Sequence, residues 1–390
     1  MQMWKWSCSM KRAVKKKQQQ VQKFWIAALA ISSIGASLSA LAALAPAEKT
    51  SAQIKAASFK NWGLMNDKDR SHINVLDAWK IQTGSRSVVV AVIDTGLDSQ
   101  HPDLKDNVWE KIEGNRKIHG WDFVTNRPNP GDEHGHGTHV SGIIGAVTNA
   151  KAGVSGVAQK VSILPVRYYS EANSGAVNLA NTVKALKYAV DQGATIINYS
   201  GGGPEFSQEE YLAMKYAEAH GVLVVAAAGN EHQDTDKMEN YYYPAAYRLK
   251  NIISVAATDI HNKILPSSNW GKKHVDIAAP GESIYSTMPK NRYGTMTGTS
   301  QATAFVTGVA ALIISEARAH KVKLSPAEVR ELVMASADSV GDLKDKVATN
   351  GRVNAYSALR KLRERLLKPG KWDLASGDAG SLLTALLSVE

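Results

Sequence analysis

The chain has 390 residues, 44% of them apolar, and a formal net charge of +10 at neutral pH. That length suits one large catalytic domain or two ordinary ones, and glycine and proline are too few for a fibrous or disordered chain. Seven of the cationic residues (Lys5, Lys11, Arg12, Lys15, Lys16, Lys17, Lys23) lie in the first 47 positions, which hold no acid. The remainder has no basic stripe with interleaved aromatics, so no nucleic-acid partner is expected.

Residues 24–47 run without a charge behind those lysines and end on Ala45-Pro46-Ala47, the pattern of a secretory signal. The run is also long enough to span a bilayer. Residues 1–47 therefore read as a signal peptide or an N-terminal anchor. The protein is expected to be secreted or periplasmic, or held at a membrane by residues 24–47 if the leader is retained. Cys8, the only cysteine, falls in this leader, so no disulfide is expected to brace the rest. Residues 48–60 read as a short linker or pro-segment, residues 61–367 as the folded domain, and residues 368–390 as a Gly/Ser-containing tail.

Within the domain, an amphipathic piece from Val75 ends near Gly84. The run Ser87-Val88-Val89-Val90-Ala91-Val92-Ile93 then reads as a strand buried on both faces. Strands are expected over 163–168, 195–199, 222–227 and 252–256. A helix is expected over 177–192 with Gly193 as its cap. Another follows Ser207, which forms a capping box with Glu210, and ends at Gly221. A long apolar helix starts near Ser300, and Ser325-Pro326-Ala327-Glu328 opens a further one. This alternation predicts an α/β fold: a doubly wound, mostly parallel sheet with helices on both faces. Chemistry then belongs beyond the carboxyl ends of the strands, where Asp94 and Asn230 fall.

Three glycine-bounded motifs carry candidate chemistry: Asp94-Thr95-Gly96, His136-Gly137-Thr138-His139 and Gly298-Thr299-Ser300. A serine hydroxyl needs an adjacent base to become a nucleophile. Imidazole titrates near neutrality and can take and return a proton. A carboxylate fixes the imidazole tautomer and stabilises the imidazolium. Ser300, His136 and Asp94 fill these roles, with His139 as a structural neighbour. Asn230, closing Ala226-Ala227-Ala228-Gly229-Asn230, can offer an amide donor to an oxyanion. Other chemistries use parts of the same set. His134, His136 and His139 have a spacing that could ligate zinc, and Asp94-Thr95-Gly96 also occurs in aspartic proteases, which need a second carboxylate. A catalytically degenerate binding protein would keep the fold and lose a triad member.

In these motifs and their order the chain resembles the subtilisin-like serine proteases (subtilase family, peptidase S8), over roughly residues 61–366. The resemblance implies a serine endopeptidase that acts on polypeptides in extended conformation, as a monomer and with no cofactor for the chemistry. It implies an oxyanion hole of Asn230, the Ser300 N–H and Thr299. It also implies a substrate-pairing strand at Ser174-Gly175-Ala176. The walls of the primary specificity pocket would be Ser200-Gly201-Gly202 and Ala227-Ala228-Gly229, with Tyr242 at its base shortening it. A structural calcium is implied at Asp103, with Asn149 as a second ligand. The chain departs from the family at Gln301 and Ala304, where methionine and proline are usual. It also has only about a dozen residues between Ala47 and the domain, where relatives carry a domain-sized propeptide.

Overall fold

The computed structural model describes residues 60–66, 68–147 and 153–367. The expected leader, the tail, nearly all of the linker and Asn149 lie outside the described residues. A short helix α1 (Val75–Ala78) leads into the long strand β1 (Gly84–Asp94). Two small antiparallel hairpins follow, β2 (Lys111–Glu113) with β3 (Arg116–Ile118), and β4 (Trp121–Asp122) with β5 (Arg127–Pro128). Next come α2 (His136–Gly145), β6 (Lys160–Arg167), α3 (Gly175–Asp191), β7 (Ile196–Tyr199), α4 (Gln208–Ala219) and β8 (Leu223–Ala227). Strands β9 (Ile252–Thr258) and β10 (Ile277–Pro280) precede a hairpin of β11 (Ile284–Met288) and β12 (Arg292–Met296). The described chain closes with α5 (Thr299–Ala319), α6 (Pro326–Ala335), β13 (Asp338–Ser339), β14 (Gly351–Arg352) and α7 (Ala355–Leu366).

The main sheet has the order β13-β14-β10-β9-β8-β7-β1-β6-β4-β5. All pairs from β14 to β4 are parallel, and only the two outermost pairs are antiparallel. The period-2 alternation of a strand explains how both faces are covered. Val88, Val90 and Val92 of β1 join the apolar cluster formed with α2, α5, α6 and α7, while Ala91 and Ile93 join the cluster formed with α3 and α4. Helices thus pack on both faces, as expected of this fold class. After β1 the chain goes to β6 on one side, then returns to β7 on the other. That reversal opens a crevice at the carboxyl ends of β1 and β7, where ligands bind in such sheets.

Two local expectations need correction. Ser174, Gly175 and Ala176 do not form a strand. Ser174 is the N-cap of α3, its hydroxyl accepting the Val177 N–H at 3.4 Å, and Gly175 and Ala176 are the first helical residues. A serine followed by small residues satisfies a helix start as readily as an extended run. The expected capping box at Ser207 is half-formed. Ser207 Oγ accepts the Glu210 N–H at 3.2 Å, but the Glu210 carboxylate turns inward to the hydroxyls of Tyr199 and Tyr247. The complete box is at Ser325 and Glu328, ahead of α6.

Candidate active site

β1 ends on Asp94, 4% exposed, and α2 begins on His136. His136 Nδ1 lies 2.8 and 3.0 Å from the two Asp94 carboxylate oxygens. Gly137 allows this approach, because a Cβ there would overlap the Gly96 carbonyl. The preceding Gly135 takes φ +99°, a left-handed conformation that favours glycine. Asp132, which sequence reading missed, ties the turn together. Its carboxylate accepts from Gly135 N (2.8 Å), Thr138 N (2.9 Å), Thr138 Oγ1 (2.7 Å) and Thr95 Oγ1 (2.9 Å). An acid just ahead of a helix was the available signal, since helix N-termini leave donors unpaired and favour negative charge.

Burial favours neutral His136, but the charge and hydrogen bond of Asp94, with a smaller contribution from Asp132, outweigh it and raise the pKa above the ordinary histidine value. His139, one turn on, behaves oppositely. It is fully buried, bonds the Ile284 carbonyl at 2.9 Å, and burial lowers its pKa to about 4. His134 pairs with Glu171 at 3.5 Å. The three rings thus serve three different partners. Among the described residues no group of three or more His, Cys, Asp or Glu is placed to hold a metal.

Ser300 is the second residue of α5, which packs against α2, so both candidate residues stand at neighbouring helix starts. Its hydroxyl donates to the Ser200 carbonyl at 3.0 Å, while Ser200 Oγ donates back to the Ser300 carbonyl at 3.3 Å. Ser200 directly follows β7, whose Tyr199 pairs with Ile93 of β1. Asp94, His136 and Ser300 therefore gather at the crevice. In this rotamer Ser300 bonds Ser200 and makes no hydrogen bond to His136.

Asn230 is exposed, at the head of the loop after β8. Its Oδ1 accepts the Thr299 N–H at 2.9 Å and the Thr299 hydroxyl at 3.2 Å. Its amide nitrogen has no hydrogen-bond partner among the described residues. Both Thr299 donors, the N–H and the hydroxyl, are thus directed at Asn230 Oδ1 in this structure. The Ser300 N–H is one of the unpaired donors of the first turn of α5.

The Tyr242 ring fills the space between the two glycine segments. It lies 2.5 Å from where a Cβ on Gly202 would sit and 2.9 Å from the equivalent point on Gly229. Ala228 is fully buried behind this wall. Gly201 continues the extended run from Ser200 to Gly202. Beside that run, Gly175, Ala176, Tyr168, Tyr169, Gly202 and Gly203 line a cleft of about 560 Å3. The first turn of α3 is thus a rim of this cleft.

Asp103 is buried, and its Oδ2 accepts from the Val154 N–H at 3.0 Å and the Tyr293 hydroxyl at 2.9 Å. Asn149 lies outside the described residues, and among the described residues no group of three or more His, Cys, Asp or Glu is placed to hold a metal around Asp103.

The Subtilase family model matches residues 85–358. Thermitase of Thermoactinomyces vulgaris is 40% identical over 288 residues, 74% of this chain and 94% of that protein. The major intracellular serine protease of Bacillus subtilis (strain 168) is 38% identical over 262 residues, 66% of this chain and 78% of that protein. Among solved structures, a lanthipeptide protease superposes with a TM-score of 0.64 at 30% identity, covering 80% of this chain and 96% of its own. With its family pattern, its sheet order and its relatives in agreement, this chain belongs to the subtilase family and is a serine-type endopeptidase.

Proposed function

We propose that the protein cleaves extended polypeptides through an acyl-enzyme, with Ser300 as nucleophile, His136 as general base and Asp94 as its orienter. The observation that carries this reading is the double contact of His136 Nδ1 with Asp94 beside the start of α5. That contact leaves Nε2 as the basic nitrogen. The Ser300 hydroxyl leaves the Ser200 carbonyl, passes its proton to His136 Nε2 and attacks the scissile carbonyl carbon. The carbonyl oxygen becomes an oxyanion, received by Asn230 Nδ2 and the Ser300 N–H at the positive end of the α5 dipole. His136 then returns the proton to the departing amine. Water, activated by the same imidazole, hydrolyses the ester. Every acid, base, nucleophile and oxyanion donor in this scheme is a group of the chain itself.

The substrate backbone lies along Ser200–Gly202, with a side chain in the cleft rimmed by α3. Export by residues 1–47 and action as a monomer complete the proposal. The test is labelling with a serine-directed peptidyl phosphonate, followed by peptide mapping. Label on Ser300, absent from Ser300→Ala together with activity, is the expected result. Label elsewhere, or full activity in Ser300→Ala, overturns the assignment. Intact mass and N-terminal sequencing of the protein from its source decide between a cleaved signal and a retained anchor.

A further inference from the structure

Glu210, on the first turn of α4, stands in the wall of the cleft beside Ser200–Gly202 and is 3% exposed. Its two oxygens accept the hydroxyls of Tyr199 at 3.2 Å and Tyr247 at 2.8 Å. An ionised carboxylate accepts about four hydrogen bonds, so these two leave it acceptor capacity. A second acid, Glu205, lines the same cleft and is exposed, on the loop between β7 and α4. Three tyrosines, Tyr168, Tyr169 and Tyr199, also line it, and aromatic rings attract cations.

No lysine, arginine or histidine lines this cleft, and neither glutamate has an ion-pair partner among the described residues. That is unusual for Glu210, because a carboxylate removed from water is ordinarily accompanied by a cation. Burial raises its pKa above the ordinary carboxylate value, and the only opposition comes from the Tyr247 and Tyr199 hydroxyls. The cleft is also roomy, at about 560 Å3, because Gly202, Gly203, Gly175 and Ala176 contribute almost no side chain to it. The same sign of charge continues next door. The adjoining hollow shares Tyr169 and holds Glu133 and Glu171, while its Arg167 is paired with Asp122 at 3.5 Å.

We propose that this cleft is a specificity pocket for a cation: it takes an arginine or lysine side chain of the bound polypeptide, selected by the charges of Glu205 and Glu210. The inference deepens the peptidase reading and rests on the substrate backbone lying along Ser200–Gly202. An apolar side chain here would leave a dry carboxylate without a cation, and an acidic one would bring like charge against two glutamates. Selection therefore works by rejection as well as by attraction.

The experiment measures kcat/KM on internally quenched peptides of one sequence, with alanine before the scissile bond. Arginine, glutamine or glutamate is placed in turn at each neighbouring position. The unmodified enzyme is compared with Glu205→Gln, Glu210→Gln and the double variant. At one position arginine should exceed glutamine by about tenfold or more, and glutamate should fall below glutamine. The ratio of arginine to glutamine should shrink in each single variant and fall to within about twofold in the double one. The ratio is the readout because damage to the fold or to the catalytic groups lowers both peptides alike.

An unmodified enzyme without an arginine preference at any position overturns the inference. So does a preference that the double variant keeps, which would leave Glu210 a structural acceptor for its two tyrosines. If Glu210→Gln fails to fold, as read from its thermal midpoint, Glu205→Gln decides alone, since its side chain is exposed. A reduced ratio there supports the pocket, and an unchanged one overturns it. Phosphonate labelling of the unmodified enzyme is the control. No label on Ser300 sinks the catalytic assignment itself, whereas normal label without an arginine preference sinks only the cation pocket.

Discussion

Asp94 is the main control on how His136 titrates, because burial alone would depress the imidazole and the Asp94 carboxylate, with a smaller contribution from Asp132, reverses the sign. As the proposed base His136 must be neutral, so the acidic limb of kcat/KM should lie above the ordinary histidine value near 6.5. In Asp94→Asn the burial remains and the opposing charge is gone, so that limb should move to lower pH. At the plateau kcat should fall roughly 10⁴-fold, because an amide no longer enforces the correct tautomer. A pH–rate profile of both proteins checks the direction, and an unmoved limb would show that Asp94 does not control the base. Tyr242 acts at the same scale on choice of substrate. Its ring occupies the room between Gly202 and Gly229, so the enzyme should prefer small side chains before the scissile bond. Tyr242→Gly should raise kcat/KM for a phenylalanine substrate relative to an alanine one by about tenfold or more, since each added methylene in an apolar pocket is worth roughly that factor. A peptide set varied at that one position measures it, and an unmodified enzyme that already favours phenylalanine would contradict the reading.

At the scale of elements, α5 joins chemistry to core. It presents Thr299 and Ser300 at its first turn, and from Ala302 onward nearly every residue to Ala317 is buried. Asn198 of β7 fixes its rotation, accepting the Thr307 hydroxyl at 2.8 Å two turns below Ser300. Gly308 sets its depth. A Cβ at Gly308 would lie 2.5 Å from Val157 Cβ, inside a region with no give, so Gly308→Ala should destabilise by about 1–3 kcal/mol. Chemical denaturation would show this as a lower midpoint at an unchanged slope. The sequence made α5, β1 and the parallel sheet legible because long apolar runs and strand–helix alternation are local signals. Asp94, His136, Ser300 and Asn230 were legible as candidates because each stands at or near an element boundary within two residues of a glycine. Asp132 was not, since its four partners become neighbours only when the α2 turn closes on Thr95. The first turn of α3 was not legible, because capping by Ser174 depends on backbone angles that a short polar stretch does not reveal.

At the scale of the molecule, one sheet and one buried helix connect every part of the site. α5 packs against β1, β7, β8, β9 and β10 on one side and against α2, α6 and α7 on the other. Its length and mean hydropathy would suit a membrane span, yet it is buried within the domain, and its apolar surface is used in holding the two helix starts together. Disulfides contribute nothing to this arrangement, because Cys8 is the only cysteine in the sequence and lies ahead of the described domain. Two results should follow together. Thiol reductant should leave the denaturation midpoint unchanged. Loss of peptidase activity, loss of helical circular dichroism and the change in tryptophan fluorescence should share one midpoint, because Ser300 cannot leave the neighbourhood of His136 without withdrawing α5 from the sheet. An activity midpoint well below the other two would mean that the helix starts open locally while the core persists. The geometry at Asp94 and His136 would then depend on the Asp132 turn more than on the packing of α5.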